Sequence, residues 1–96
     1  MSTSVEAMLR TTVAALMHHT GESQEALAAG LRISQAQVSR KQSGRSAWAI
    51  ADLEKLAAHY GMHPPDLLMG PTHAIRQLPA VRLAAVVGGR QSVLSV

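Results

Sequence analysis

The chain has no cysteine and no phenylalanine, and its aromatic side chains are Trp48 and Tyr60 alone. Without cysteine there is no disulfide and no thiolate zinc site. Without a set of aromatics there is no stacking platform for single-stranded nucleic acid. The core must come from Leu, Val, Ile, Met and Ala, and in 96 residues such a core is small enough to gain from dimerisation. No apolar run reaches the ~18 residues that a membrane span requires, and the first residues lack the basic-then-apolar pattern of a signal peptide. The expected location is the cytoplasm, and the length suits one domain with an appendage.

Acidic residues are also missing from long stretches. The six acids are Glu6, Glu22, Glu25, Asp52, Glu54 and Asp66. Between Glu25 and Asp52 stand Arg32, Arg40, Lys41 and Arg45 with no acid among them, and after Asp66 come Arg76, Arg82 and Arg90, again alone. The net charge of +3 is modest, but a one-signed patch favours a polyanionic partner, with a merely solvated basic face as the equal alternative from charge alone. Catalytic arrangements are not evident: there is no Ser/His/Asp set, carboxylate pair or phosphate-cradling glycine loop at a supporting spacing. His59-x-x-x-His63 would need an unbroken helix to present a metal-binding face, and Gly61 interrupts it. Neither an enzyme nor a metal or cofactor is expected.

What is present is helical punctuation. Val5, Leu9, Val13 and Leu16 form one apolar stripe over residues 4–19, with Ser4 as N-cap and Gly21 as a left-handed stop. Ser23 is placed to cap a second helix, Gln24 to Leu31, whose Leu27, Ala28 and Leu31 face inward. Ser34 opens a third, Gln35 to Ser43, in which Val38 is the one strong core residue. A helix that polar is poorly stable alone and has to be held by its neighbours. Ser46 to Tyr60 read as a fourth helix, with Ile50, Leu53, Leu56, Ala57 and Tyr60 inward. A short fifth begins around His63-Pro64-Pro65, with proline at its first position, and Gly70-Pro71 end it. Residues 71–78 read as a linker. From Pro79 the texture changes: Ala80 to Val87 and Arg90 to Val96 flank Gly88-Gly89 as a β-hairpin would, with a helix over 80–87 as the rival.

Residues 23–44 carry the functional signal. The ordered set Gln24-Glu25-Ala26-Leu27-Ala28, Ile33-Ser34, Val38-Ser39-Arg40 and Gly44, followed by Leu53-x-x-Leu56-Ala57, Gly61-Met62 and Leu67-Leu68, resembles the lambda-repressor/Cro type of helix-turn-helix domain, the XRE family. The resemblance spans about two thirds of the chain. It implies a mostly α fold with a five-helix helix-turn-helix domain over 1–70; the residues beyond it are read as a linker over 71–78 and a C-terminal β-hairpin or arm over 79–96, whose strand edges suit dimerisation.

The resemblance also implies a double-stranded DNA interface. Gln35, Ala36, Gln37, Ser39 and Arg40 are the base-reading candidates. A glutamine at the first position pairs bidentately with adenine, an alanine methyl meets thymine, and an arginine reads guanine O6/N7. Gln24, Ser34, Lys41, Ser43 and Arg45 are the phosphate candidates, positioning the protein without reading sequence. Two departures stand out. Arg32 occupies the turn position where the family usually has glycine, while Gly30 sits two residues earlier. Met17 and Gln42 occupy the places of a first-helix arginine and its glutamate partner, so both charges are absent together. Trp48, at the start of the fourth helix, reads as a packing residue. The function expected is a phage or mobile-element repressor binding a palindromic operator as a homodimer. The alternatives are an antitoxin gripping a toxin with residues 72–96, a phage activator touching polymerase through Glu22 and Glu25, or a protein-interaction module that does not bind DNA.

Overall fold

A computed structural model describes residues 4–80. The α-helices are α1 (Val5–Thr20), α2 (Gln24–Leu31), α3 (Gln35–Ser43), α4 (Ile50–Tyr60) and α5 (Pro71–Gln77), with a 3-10 helix at Pro64–Leu68 between the last two. The fold is mostly α, and no strand occurs among the described residues. The β-hairpin expected around Gly88-Gly89 lies outside them.

Local chemistry sets the boundaries. The Ser4 hydroxyl accepts from the Ala7 N–H, Ser23 from Ala26 and Ser34 from Gln37, each at 3.0–3.1 Å. Each bond satisfies one of the orphan donors of a helix start, worth ~1 kcal/mol. Gly21, Gly44 and Gly61 close α1, α3 and α4 in the left-handed region, where glycine has no Cβ to clash.

α1 is the spine. It packs against α5, the 3-10 helix and α3, while α2 packs on α3 and α4. Leu9, Val13 and Leu16 of α1 meet Leu27, Ala28 and Leu31 of α2, Val38, Trp48, Leu56, Ala57, Tyr60, Leu67, Ala74 and Leu78 in one buried cluster. Thr12 and Thr20 are buried in the same stripe because their hydroxyls donate to the carbonyls of Met8 and Leu16, which removes the cost of burying them.

Five expectations are corrected. The fourth helix begins at Ile50 and not at Ser46: the Ala49 N–H donates to Asp52 Oδ2 at 2.7 Å, so Asp52 supplies the cap from inside the helix. Ile50 therefore stands at the first helical position and is 85% exposed, against the inward place expected of it. Val5, at the start of the first stripe, is likewise exposed. The short fifth helix is a 3-10 turn, and the linker expected over 71–78 is helix α5, because Pro71 stands at a helix start, where proline is favoured. Its Ala74 and the Leu78 that caps its end are buried. Between the 3-10 turn and α5, His73 Nε2 lies 2.8 Å from Asp66 Oδ1. That bond, opposed by partial burial and aided by the His63 N–H, holds Asp66 below the ordinary carboxylate pKa.

Candidate nucleic-acid interface

The second and third helices meet through a turn built around Arg32. Its backbone is left-handed (φ 61°, ψ 40°), and it is the one non-glycine residue with positive φ among those described. The Arg32 N–H donates to the Ala29 carbonyl and the Ile33 N–H to the Ala28 carbonyl, the paired bonds of a Schellman ending. Arginine thus adopts the conformation usually given to glycine. Gly30 serves a different need. A Cβ at Gly30 would lie 2.4 Å from Nδ1 of His59, so the missing side chain is what lets the α4 ring rest against α2. His59 Nε2 is 2.8 Å from Glu22 Oε2, and the Tyr60 hydroxyl donates to Glu22 Oε1. Glu22 is thereby engaged inside the fold, leaving Glu25 as the exposed acid of the pair considered for a polymerase contact.

α3 has one buried residue, Val38. Its outer line is Ala36, Arg40 and Ser43, at i, i+4 and i+7, flanked by Ser39, and Gln35 opens the helix; all five are exposed. This is a polar, cationic helix face pressed outward by a small anchor. Gln37 is exposed too, but its side chain is committed. Gln37 Oε1 accepts from the Ser34 N–H at 2.9 Å and lies 3.3 Å from the Ser34 hydroxyl, which in turn accepts from the Gln37 N–H. This is a complete capping box, and the Ser34-x-x-Gln37 spacing was its signal in the sequence. The Gln37 amide is thus oriented with its NH₂ group away from Ser34.

The phosphate candidates divide. Ser43 and Arg45 are exposed near the end of α3, the Ser43 hydroxyl donating to the Arg40 carbonyl. Gln24 is half-buried at the start of α2 and lines, with Met17 and Gln42, a cleft of about 440 Å³ between α1, α2 and α3. Lys41 turns inward: Nζ is 3.0 Å from Asp52 Oδ2 and 3.2 Å from the Ala47 carbonyl, and it stands 5.6 Å from the centre of the Trp48 ring. Trp48 is buried as a packing residue, and its indole N–H donates to Gln42 Oε1 at 2.8 Å. Gln42 Nε2 donates to the Arg10 carbonyl on α1. The position that lost its glutamate has therefore gained a neutral bridge from α1 to Trp48. Arg10 itself was not anticipated. Its guanidinium carbon lies 3.3 Å from where a Gly44 Cβ would stand, adding a cation beside the C-terminus of α3 that no local pattern announces.

An exposed cationic helix held at the surface by a helix-turn-helix frame is the geometry, and the family model of the BetR domain matches residues 4–93. The chain belongs to the BetR domain family. It is therefore a helix-turn-helix-like domain of transcriptional regulators, a DNA-binding regulatory class, with DNA as the partner. No curated protein and no solved structure matches it. No helix of this BetR domain is long and apolar enough to cross a membrane among the described residues.

Proposed function

We propose that this BetR domain is a sequence-specific repressor of the XRE manner, binding a palindromic operator in double-stranded DNA as a homodimer joined through residues 81–96. The observation that carries this reading is the outer face of α3, where Ala36, Ser39, Arg40 and Ser43 are all exposed on a helix with a single buried anchor. Gln35, Ala36, Ser39 and Arg40 read base edges in the major groove, and Gln37 offers the NH₂ that its capping bond leaves outward. Gln24, Ser34, Ser43 and Arg45 hold phosphates. The two recognition helices of a dimer would enter successive grooves one helical turn apart, and occupying a promoter represses it. The reaction is binding alone; no catalysis is assigned.

The test is selection of bound duplexes from a random pool, followed by affinity measurements on single-base variants. Gln35→Ala and Arg40→Ala should each erase discrimination at particular base pairs, by ~1–3 kcal/mol per lost bidentate contact, while Arg45→Ala weakens all sequences alike. Affinity should fall with salt with a slope of about −0.9 per phosphate neutralised. Identical behaviour of Arg40→Ala and Arg45→Ala across all variants would sink the groove assignment.

A further inference from the structure

We infer that Lys41 is a positioning residue of the recognition helix, acting through Asp52 and Trp48 to set the angle of α3, and is not a phosphate contact. The inference rests on the DNA-binding reading above and adds what fixes the reading face in place.

Val38, Lys41 and Gln42 stand at i, i+3 and i+4, which is one face of a helix, and it is the face turned to the rest of the protein. Val38 alone is a pivot: one small apolar anchor leaves rotation about the helix axis weakly determined. The two polar neighbours supply the missing constraints on either side. Gln42 reaches α1 through the Arg10 carbonyl. Lys41 reaches α4 through Asp52 Oδ2 and the loop before it through the Ala47 carbonyl. Trp48 joins the two, its indole N–H on Gln42 and its ring beneath the Lys41 ammonium, a cation–π placement. The Lys41 and Asp52 side chains are only 17% and 13% exposed, so the pair is shielded from the screening that makes surface pairs weak. The same Asp52 oxygen caps α4 through the Ala49 N–H, so the start of α4 and the last turn of α3 share one acceptor. An ammonium held by a carboxylate and a carbonyl inside this corner has two of its three N–H donors directed at the protein. Arg40 and Arg45, both exposed, remain for the nucleic acid at this end of α3, beside the half-buried Arg10.

The two roles for Lys41 give opposite signs at Asp52. A phosphate-binding lysine would be freed, and an acid removed, by Asp52→Asn, and DNA would bind more tightly. A positioning lysine would lose its partner, and binding would weaken. The experiment compares wild type, Lys41→Met (which keeps the stem over Trp48 without the charge), Lys41→Arg, Asp52→Asn and the Lys41→Met/Asp52→Asn double variant. Each is titrated with duplexes selected by the wild-type protein and their base variants, over a range of salt. Lys41→Met and Asp52→Asn should each lower affinity for the selected site about 3- to 100-fold, the range of residues coupled in one network. Both should narrow the gap between the selected site and its variants, with the salt slope unchanged, and the double variant should be no worse than the singles. Lys41→Arg, which keeps the charge, should recover most of the discrimination. A slope reduced by ~0.9 in Lys41→Met, with Asp52→Asn binding more tightly, overturns the proposal. Trp48 is the one tryptophan in the chain, so its emission reads the same corner without DNA and should shift in both single variants. If wild type bound no duplex even at low salt, the DNA reading would fail by itself. Unshifted Trp48 emission in both variants would overturn the positioning network independently.

Discussion

Arg32 carries the clearest conflict between local preference and tertiary demand. A left-handed backbone costs a side chain with Cβ ~1–2 kcal/mol, and glycine in its place would add ~0.5–1 kcal/mol of unfolded-chain entropy. The first effect exceeds the second, so Arg32→Gly should stabilise the domain by up to ~1 kcal/mol and raise Tm by ~4–8 °C per kcal/mol at this size. Thermal unfolding followed by circular dichroism checks it, and a lowered Tm would mean that the arginine side chain contributes more than the strain it brings. Gly30, the glycine that the sequence offers nearby, cannot take that place. It is occupied in clearing room for His59, a requirement that arises from α4, about thirty residues away in the chain, and that no local reading reveals.

At the scale of elements, α3 shows how a polar helix is made to stand. Its capping box, its single apolar anchor and its two inward polar side chains substitute for an apolar face. Ser34→Ala removes the hydroxyl that accepts from the Gln37 N–H and should cost ~1 kcal/mol, seen as a lower urea midpoint with unchanged m. Ser34→Asp keeps a capping acceptor, and stability with it, but puts a negative charge where α3 is proposed to approach phosphates. Its urea midpoint should match wild type while duplex affinity falls; equal affinity would place the start of α3 away from the DNA backbone. Much of this element was legible beforehand. The bounds of α2 and α3, the inward Val38, Leu27, Ala28 and Leu31, and the outward polar residues follow from periodicity and caps alone. The i+3 spacing from Val38 sets Lys41 on the inward side, but its partner was not legible, because Asp52 is eleven residues on and across a loop.

For the whole molecule, the helical body extends past the boundary expected at residue 70. Ala74 and Leu78 close the core, and Pro79 packs where a Gly61 side chain would otherwise project. A truncation meant to probe dimerisation must therefore spare these residues. The BetR domain match continues to residue 93, so the segment beyond 80 belongs to the family's domain and is the proposed dimer arm. Deleting residues 81–96 should leave a folded monomer in sedimentation, with operator affinity reduced by the ~10²–10⁴ that linked half-sites contribute. A dimer that survives the deletion would place the interface on the helices instead.

What the sequence determined by itself is whatever depends on neighbours within a turn or two: most of the caps and apolar stripes, the exposed polar face of α3 and the concentration of positive charge around it. Those features are set by helix periodicity and by hydrogen bonds reaching three or four residues. Only the tertiary structure decided which charges are spent inward and which remain for a partner. The Lys41–Asp52 pair, the Gln42 bridge to α1, the Arg10 guanidinium beside Gly44 and the His59 ring over Gly30 all join residues distant in the chain. Their energies depend on distance and burial in the folded protein, and neither quantity exists until the helices have packed.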